Sequence, residues 1–402
     1  MSYRQRGGPL AGVRVLAVAK VWAGPYAAKL LAQLGAEVIK VESASALDEM
    51  RAYGGVDIEH APYFLSQNTE ALSVRVNLKS AEGIAQLKKM IAVSDIVLDN
   101  LRPGALDKLG LSYEAMKAIR PDIIHVSIKM YGSDGPLGYQ TGYAPSFAAI
   151  GGLTSLVGHE GKVPRGMNIR YGDTTAGAAA AFGAIAALHH RERTGEGQQV
   201  DLSAVEAISG LVGDSLFAFG LTGEPPVHRG NTHDELSPHG FFPTRNNGWI
   251  SIACDGDEEW RALADELGLA EPADDPRFTT HESRCLNRSA LEAELGRLTK
   301  ALDGSDLARR LRARGVAAWP AASSLDLMSE DLFWSNGTFR MVINGNGDAR
   351  PVVGSSWRIE PDGAELERGA PTLGEHDEYV YRELLGLDED EYAALKASGA
   401  IS

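Results

Sequence analysis

The apolar positions of this chain fall in short runs separated by stretches of helical periodicity, and that alternation sets the first expectation of its fold. Residues 13–18 (VRVLAV) form a Val-rich run fit for a buried strand. AGPYAAKLLAQLGA follows, with Pro25 suited to a first helical turn and Gly35 to a helix C-terminus. EVIKVE (37–42) then reads as a second strand, completing a βαβ unit whose crossover should be right-handed, with parallel strands. Residues 80–93 (SAEGIAQLKKMIAV) predict an amphipathic helix, with Ser80 as its cap and Glu82 in its first turn. DIVLDN (95–100) and IIHVSI (123–128) are further apolar runs, with a helix expected between them near 112–119. Such alternation predicts an α/β fold built on an open, mostly parallel sheet, on which ligands sit at the carboxyl ends of the strands.

The texture changes beyond about residue 220. GEPPVHRGN (223–231) is a Pro/Gly-rich connector. GWISIAC (248–254) reads as a strand and DEEWRALADELG (257–268) as an amphipathic helix ending at Gly268. LEAELGRLTKAL and DLARRLRARG add two helices, and GVAAWPAAS an extended piece. The division expected is a large domain beginning with residues 1–222, a smaller α/β domain over 225–325, and a C-terminal segment, 326–402. That last segment carries the apolar-spaced helix YVYRELLGL.

Composition narrows the function. The 402 residues are 44% apolar and 23% charged, an ordinary globular balance. With 39 basic and 54 acidic residues the net charge is −15, which argues against nucleic acid or an anionic membrane as partner. Cys254 and Cys285 have no zinc-ligand or redox spacing, so no metal site is expected and a reduced compartment fits. The polar start, MSYRQRGGPLAG, does not resemble a signal peptide, and the small-apolar stretch Ala176 to Leu188 is too short to span a bilayer. The chain is expected to be cytoplasmic.

Several common chemistries have no signature here. GxxxxGK[ST] is absent, and the turn after the first strand is AKVWAGPY rather than GxGxxG, which disfavours P-loop and dinucleotide enzymes. Neither GxSxG nor HExxH occurs. His189 and His190 close a helix, where imidazole favours the C-terminal dipole. RYGDTTAGAAAAFGAIAALHH (170–190) is the unusual segment: Asp173 follows a glycine and precedes a long run of small residues. The residues alone leave Asp173 open between a plain helix N-cap and a carboxylate kept ionised, as a nucleophile, by the helix start. Lys20, Lys40, Arg102, Lys108 and Lys129 stand at or just past predicted strand ends, where bases can converge on an anion.

Five blocks in order resemble the family III CoA-transferases, the CaiB/BaiF or formyl-CoA transferase-like family. They are GPLAGVRVLAVAKVWAGPYAAKLLAQLGAEVIKVE (8–42), VNLKSAEG (76–83), DNLRPGALDKLGL (99–111), GDTTAG…AIAALHHRERTGEGQQVDLS (172–203), and SPHGFFPTRNNGWISIAC with DDPRF (274–278). The resemblance implies a Rossmann-like large domain plus a smaller α/β domain, with two chains interlocked as a homodimer. It implies an enzyme that moves CoA from an acyl-CoA thioester to a carboxylic acid through an aspartyl mixed anhydride and an aspartyl-CoA thioester. Acyl-CoA and acid are then substrates, and no permanently bound cofactor is expected.

Carried over by position, the nucleophile falls on Asp173, in GD-x-x-x-G. CoA-contacting segments fall on Trp22 and Ala23, on Val76, Asn77, Leu78 and Lys79, and on Asn100, Leu101 and Arg102. Lys108 resembles the base that meets the nucleotide phosphates, and Thr141, Gly142 and Tyr143 match a further CoA-lining stretch. Trp22 and Tyr63 are implied to line the acyl pocket.

There are departures. Ser43 stands where relatives often have arginine, Thr141 where formyl-CoA transferases have lysine, and the run Asn68 to Ser73 lacks two family bases. Trp22 replaces the glutamine of an oxalate-using relative, which leads one to expect an apolar or aromatic acyl group. RGNTHDELSPHG (229–240) replaces a glycine-run loop, so neither formyl-CoA nor oxalate is assigned.

Two alternatives stay open at this stage. An α-methylacyl-CoA racemase of the same fold needs a second base, supplied in relatives by a histidine upstream of the aspartate, and TGYAPSF (141–147) has none. A non-catalytic CoA-binding subunit, paired with a related chain, is the other.

Overall fold

A computed structural model describes residues 6–166, 170–269 and 275–402. The first five residues, and Asp274 of the DDPRF block, lie outside the described residues. Contacts divide the chain into two compact units. One comprises Met1–Thr154, Gly166–Glu224 and Asp331–Ser402, and the other Ser155–Arg165 with Pro225–Glu330.

The first unit is built on six parallel strands in the order β3-β2-β1-β4-β5-β6. These are β1 (Arg14–Val18), β2 (Glu37–Glu42), β3 (Ala71–Arg75), β4 (Ile96–Asp99), β5 (Ile124–Lys129) and β6 (Gln199–Ser203). Strands β2, β4 and β5 are buried along their whole length, which is why their sequences read as continuous apolar runs rather than alternating ones. Strand order reverses between β1 and β4, and the loops leaving their carboxyl ends part there to open a crevice.

Helices cover both faces. On one side lie α1 (Ala23–Gln33), α4 (Ala144–Ile150) and α5 (Tyr171–Thr194); on the other lie α2 (Ala81–Ala92) and α3 (Tyr113–Ile119). Ser80 caps α2 as its sequence predicts, accepting from the Gly83 N–H. The small residues of α5 are used where it meets α1. A Cβ added at Gly177 would stand 2.5 Å from the Ala23 carbonyl oxygen, so only glycine permits this approach. The segment Asp331–Ser402 packs with this unit. It adds the hairpin β10 (Phe339–Ile343)–β11 (Ala349–Val353), ties Asp377 to Arg75, and ends beside β2 and β3. There the Ala44 N–H donates to the Ser402 oxygen.

The helical run Ala204–Thr222 is long and apolar enough to cross a membrane by length and composition, with mean hydropathy 1.4. It is longer than Ala176 to Leu188, the stretch weighed from the sequence, and was not singled out there. Leu216, Phe217 and Leu221 are exposed on it.

The second unit carries a three-stranded antiparallel sheet, β7 (His239–Pro243), β8 (Trp249–Ala253) and β9 (Ala317–Pro320). The helices Asp257–Glu266, Arg288–Thr299 and Gly304–Ala313 contribute Trp260, Leu295 and Leu307 to its core. Buried Arg284 donates to the Ser237, Phe278 and Gly256 carbonyls and to Asp257, fastening the start of this sheet to the adjoining helices.

Candidate active site

The crevice at the strand reversal holds a cavity of about 550 Å³, and its walls come from five chain segments. The turn after β1 contributes Lys20, Val21, Trp22 and Ala23, and the turn after β4 contributes Asn100, Leu101 and Arg102. The end of β5 brings Lys129 and Met130, the approach to α4 and its first turn bring Gln140 to Tyr143 with Ser146 and Phe147, and α5 brings Asp173. Glu49 stands at the exposed edge.

The β1 turn is held by its neighbours. Val21 has φ 68°, a left-handed conformation that a β-branched residue adopts only under constraint. Its N–H donates to Asp48 Oδ1 at 2.9 Å. Asp48 in turn accepts from Lys40 Nζ at 2.8 Å, and the same ammonium donates to the Ala19 carbonyl. From the other side, the Asn100 side-chain amide clamps the Lys20 peptide, accepting from its N–H at 2.9 Å and donating to its C=O at 2.7 Å. A Cβ on Gly24 would stand 2.6 Å from that of Ala19 and 3.0 Å from the Asn100 amide, so glycine is needed to close the turn on its clamp.

The strand-end bases divide into two groups. Lys40 is spent on Asp48, and Lys129 donates to Asp99 at 2.6 Å and to the Leu101 carbonyl at 2.8 Å. Lys20 Nζ donates to the Ala46 and Leu47 carbonyls. Arg102 and Lys108 are exposed and form no ion pair among the described residues. Of these five strand-end bases, only the last two are left to meet an incoming anion.

Asp173 differs from the other acids here. It is the third residue of α5, whose N-cap is Arg170, and no side-chain cap bond forms. The plain N-cap reading is thereby overturned: the helix begins three residues earlier. The residue is 8% exposed, and its carboxyl has no hydrogen-bond partner among the described residues. Burial pushes it up to about 6, with the Arg170 guanidinium working in the opposite direction. The helix start was expected to dominate; desolvation outweighs it. At pH 7 the group is still mainly ionised, but as a poorly solvated carboxylate, more basic and more nucleophilic than an ordinary one.

Asp48 and Asp99 are as deeply buried and behave in the opposite sense. Burial would raise Asp48, but the Lys40 ammonium and the Met50 and Val21 N–H groups hold it below the usual carboxylate range. Burial would likewise raise Asp99, yet His125 and Lys129 hold it down.

Of the residues singled out from sequence, Trp22, Ala23, Asn100, Leu101, Arg102, Thr141, Gly142, Tyr143 and Asp173 meet around this cavity. The side chain of Asn100 serves the β1 turn, so any ligand contact it makes is through its backbone or is secondary to that clamp. Tyr63 stands behind the wall, its ring edge-to-face with Trp22 at 6.0 Å. Lys108 lies at the end of a short exposed helix after β4.

Val76, Asn77, Leu78 and Lys79 do not reach the cavity. They follow β3, two strand spacings or about 10 Å from the β1 turn and three from the β4 turn. Val76 is core, and Asn77 bonds the Ala400 and Gly399 carbonyls.

Sequence reasoning missed Arg170, whose guanidinium carbon lies 4.5 Å from the Trp22 ring centroid and 4.3 Å from that of Tyr63. Its position three residues before Asp173 was the one available signal. A larger cavity, about 740 Å³, runs along α1 and the β10–β11 hairpin and is lined by none of the predicted residues. No group of three or more metal-ligating side chains occurs among the described residues.

Comparison with known proteins shows the family. The family model for CoA-transferase family III matches residues 10–377. The chain is 31% identical to a succinyl-CoA–D-citramalate CoA-transferase of Chloroflexus aurantiacus, over 100% of both chains. It is 30% identical to a succinate–glutarate CoA-transferase of Agrobacterium fabrum, over 94% of this chain and 96% of that one. Among solved structures, a CaiB/BaiF family protein from Brucella suis superposes with a TM-score of 0.88 at 32% identity, covering 94% of this chain and 100% of that one. The chain belongs to CoA-transferase family III, and it is a CoA-transferase.

Proposed function

We propose that this family III CoA-transferase moves CoA from an acyl-CoA thioester to a carboxylic acid by way of Asp173. The observation that carries the reading is a buried carboxylate, unpaired among the described residues, on the wall of the crevice at the strand reversal. The Asp173 carboxylate attacks the thioester carbonyl, the C–S bond breaks, and CoA leaves as thiolate, giving a mixed anhydride. The thiolate attacks the Asp173 carbonyl, releases the donor acid as carboxylate, and leaves an aspartyl-CoA thioester. The acceptor carboxylate attacks that thioester, expelling the thiolate, which then attacks the acceptor's acyl carbon and frees Asp173. No net proton, metal or ATP is consumed, because anhydride and thioester are comparably activated.

The N-terminus of α1, whose N-cap Trp22 makes no side-chain cap bond, supplies the Ala23 N–H as a candidate donor to the oxyanion. Arg102 and Lys108 suit the CoA phosphates, with the thiol end reaching Thr141 to Tyr143. An α-proton exchange would need a second base facing Asp173. The two lysines of the lining, Lys20 and Lys129, are held by carbonyls and by Asp99, which favours transfer. The exposed apolar face of Gly213–Thr222 supports a dimer, to be read from the mass of the purified assembly.

The test is intact-protein mass after rapid quenching from an acyl-CoA panel with borohydride or hydroxylamine trapping. An adduct at Asp173, absent in Asp173→Ala, is the expected result. Exchange of the acyl α-proton with no adduct would replace this reading with racemisation.

A further inference from the structure

Trp22 was expected to select an apolar or aromatic acyl group. Its surroundings argue otherwise. The indole and the Tyr63 ring meet edge-to-face at 6.0 Å, and the Arg170 guanidinium packs against both, 4.5 and 4.3 Å from their centroids. Stacking on aromatic faces holds a guanidinium in place but leaves its N–H edge unused, since a π-face satisfies charge and not the in-plane donors. Arg170 has no carboxylate or carbonyl acceptor among the described residues, unlike Arg51 close by, which pairs with Glu42 and Glu59. The indole Nε1–H of Trp22 is also buried with no acceptor. Trp22 lines the cavity that Asp173 lines, and Arg170 stacks on the Trp22 ring within range of Asp173, so two donors, one of them charged, stand beside that cavity with no acceptor among the described residues. The carboxyl of Asp173 does not fill the role: it feels Arg170 through space and forms no bond with it.

We propose that Arg170 and the Trp22 indole N–H form a subsite for the terminal carboxylate of a short dicarboxylic acyl group, which makes this enzyme selective for dicarboxylic acids and their CoA thioesters. The proposal rests on Asp173 marking the reacting end of the acyl chain. Arg170, three residues ahead of it at the start of α5, marks the far end. The guanidinium then has two functions. It binds the remote carboxylate through charge-assisted hydrogen bonds, and it offsets the repulsion that this second negative charge would exert on the attacking Asp173.

The test uses the full-length protein and two thioesters of equal chain length, succinyl-CoA and butyryl-CoA, which differ in a terminal carboxylate against a methyl group. The second-order rate of adduct formation at Asp173 is measured at pH 8, above the pKa of that group, for wild type, Arg170→Met, Arg170→Lys and Trp22→Phe. In Arg170→Met the succinyl-CoA rate should fall by about 10- to 100-fold, the scale of a charge-assisted hydrogen bond. Butyryl-CoA should stay within about 3-fold, since it never uses the guanidinium. Arg170→Lys should recover part of the loss, and Trp22→Phe should show a smaller drop for succinyl-CoA alone. Equal losses for both thioesters would overturn the assignment, reducing Arg170 to a prop for the wall, and an unchanged succinyl preference would overturn it as well. Steady-state turnover, run in parallel, separates this from the aspartyl reaction. If wild type forms no Asp173 adduct yet Arg170→Met still loses its preference for succinyl-CoA, the reaction scheme fails and the subsite stands.

Discussion

Three buried aspartates surround one crevice, and they divide into two kinds. Asp48 and Asp99 sit behind the strand ends, each gripped by a lysine and by further donors, and each held below the ordinary carboxylate range. Asp173 sits at the start of α5 on the opposite wall with no such partner, and burial pushes it up to about 6. Burial is nearly the same in the three cases, 1%, 1% and 8% exposed, so it is the partners that decide. A satisfied carboxylate becomes part of the scaffold: Asp48 fixes the left-handed Val21 turn, and Asp99 fixes Lys129 and the Leu101 carbonyl. An unsatisfied one retains its basicity and remains available for chemistry.

The largest effect expected from this contrast is on the scaffold side. Lys129→Met removes the ammonium from Asp99 and leaves a buried charge supported only by His125 and the Leu101 N–H among the described residues. A loss of about 3–5 kcal/mol in unfolding free energy is expected, read from urea titration. If the loss is below 1 kcal/mol, Asp99 is not the structural carboxylate described here.

The same operation on Asp173 should have the opposite sign. Its folded pKa is raised, so between about pH 4 and 6 the native state binds more protons than the unfolded chain, and stability falls as pH rises through that window. Asp173→Asn removes this penalty. It should stabilise the fold by about 3 kcal/mol at pH 7, from a displacement of about two pKa units at ~1.4 kcal/mol each, and the gain should vanish below about pH 4. Transfer activity should be lost at every pH, whereas wild-type turnover should fall on the acid side with a midpoint near the value of about 6. A destabilised Asp173→Asn would mean that the carboxylate has a partner after all.

Much of the scaffold could be read from the chain because four of its strands are short apolar runs bounded by turn chemistry. The predicted runs 13–18, 37–42, 95–100 and 123–128 became β1, β2, β4 and β5 within a residue or two. β3 and β6 were not read. ALSVR offers a short run in which Ser73 is buried by bonds to Glu42 and to the Gly374 N–H, a distant segment. QVDLS lies at the sheet edge with mixed exposure and shows no apolar run at all. The β10–β11 hairpin and the assignment of Ser155–Arg165 to the second unit were equally invisible, since both depend on long-range contacts.

The site was legible only in part. Motif order located Asp173 and most of the cavity wall, but periodicity favoured an N-cap that the structure moves to Arg170. That Asn100 clamps a peptide, that Lys40 and Lys129 are already paired, and that Trp22 carries a guanidinium on its ring are tertiary facts. Each joins residues far apart in the chain, and no local pattern encodes them.

The central claim, that the unpaired carboxylate is a covalent participant and not a bystander, is tested most directly by following its oxygens. When the acceptor acid is labelled with oxygen-18 in its carboxylate, the scheme returns an acceptor oxygen to Asp173 at the end of each turnover. After many turnovers, the peptide containing Asp173 should gain about 2 Da for each oxygen exchanged, while peptides carrying Asp48 and Asp99 stay unlabelled. Full turnover with an unlabelled Asp173 peptide would contradict the account and require the two acids to exchange CoA without passing through this residue.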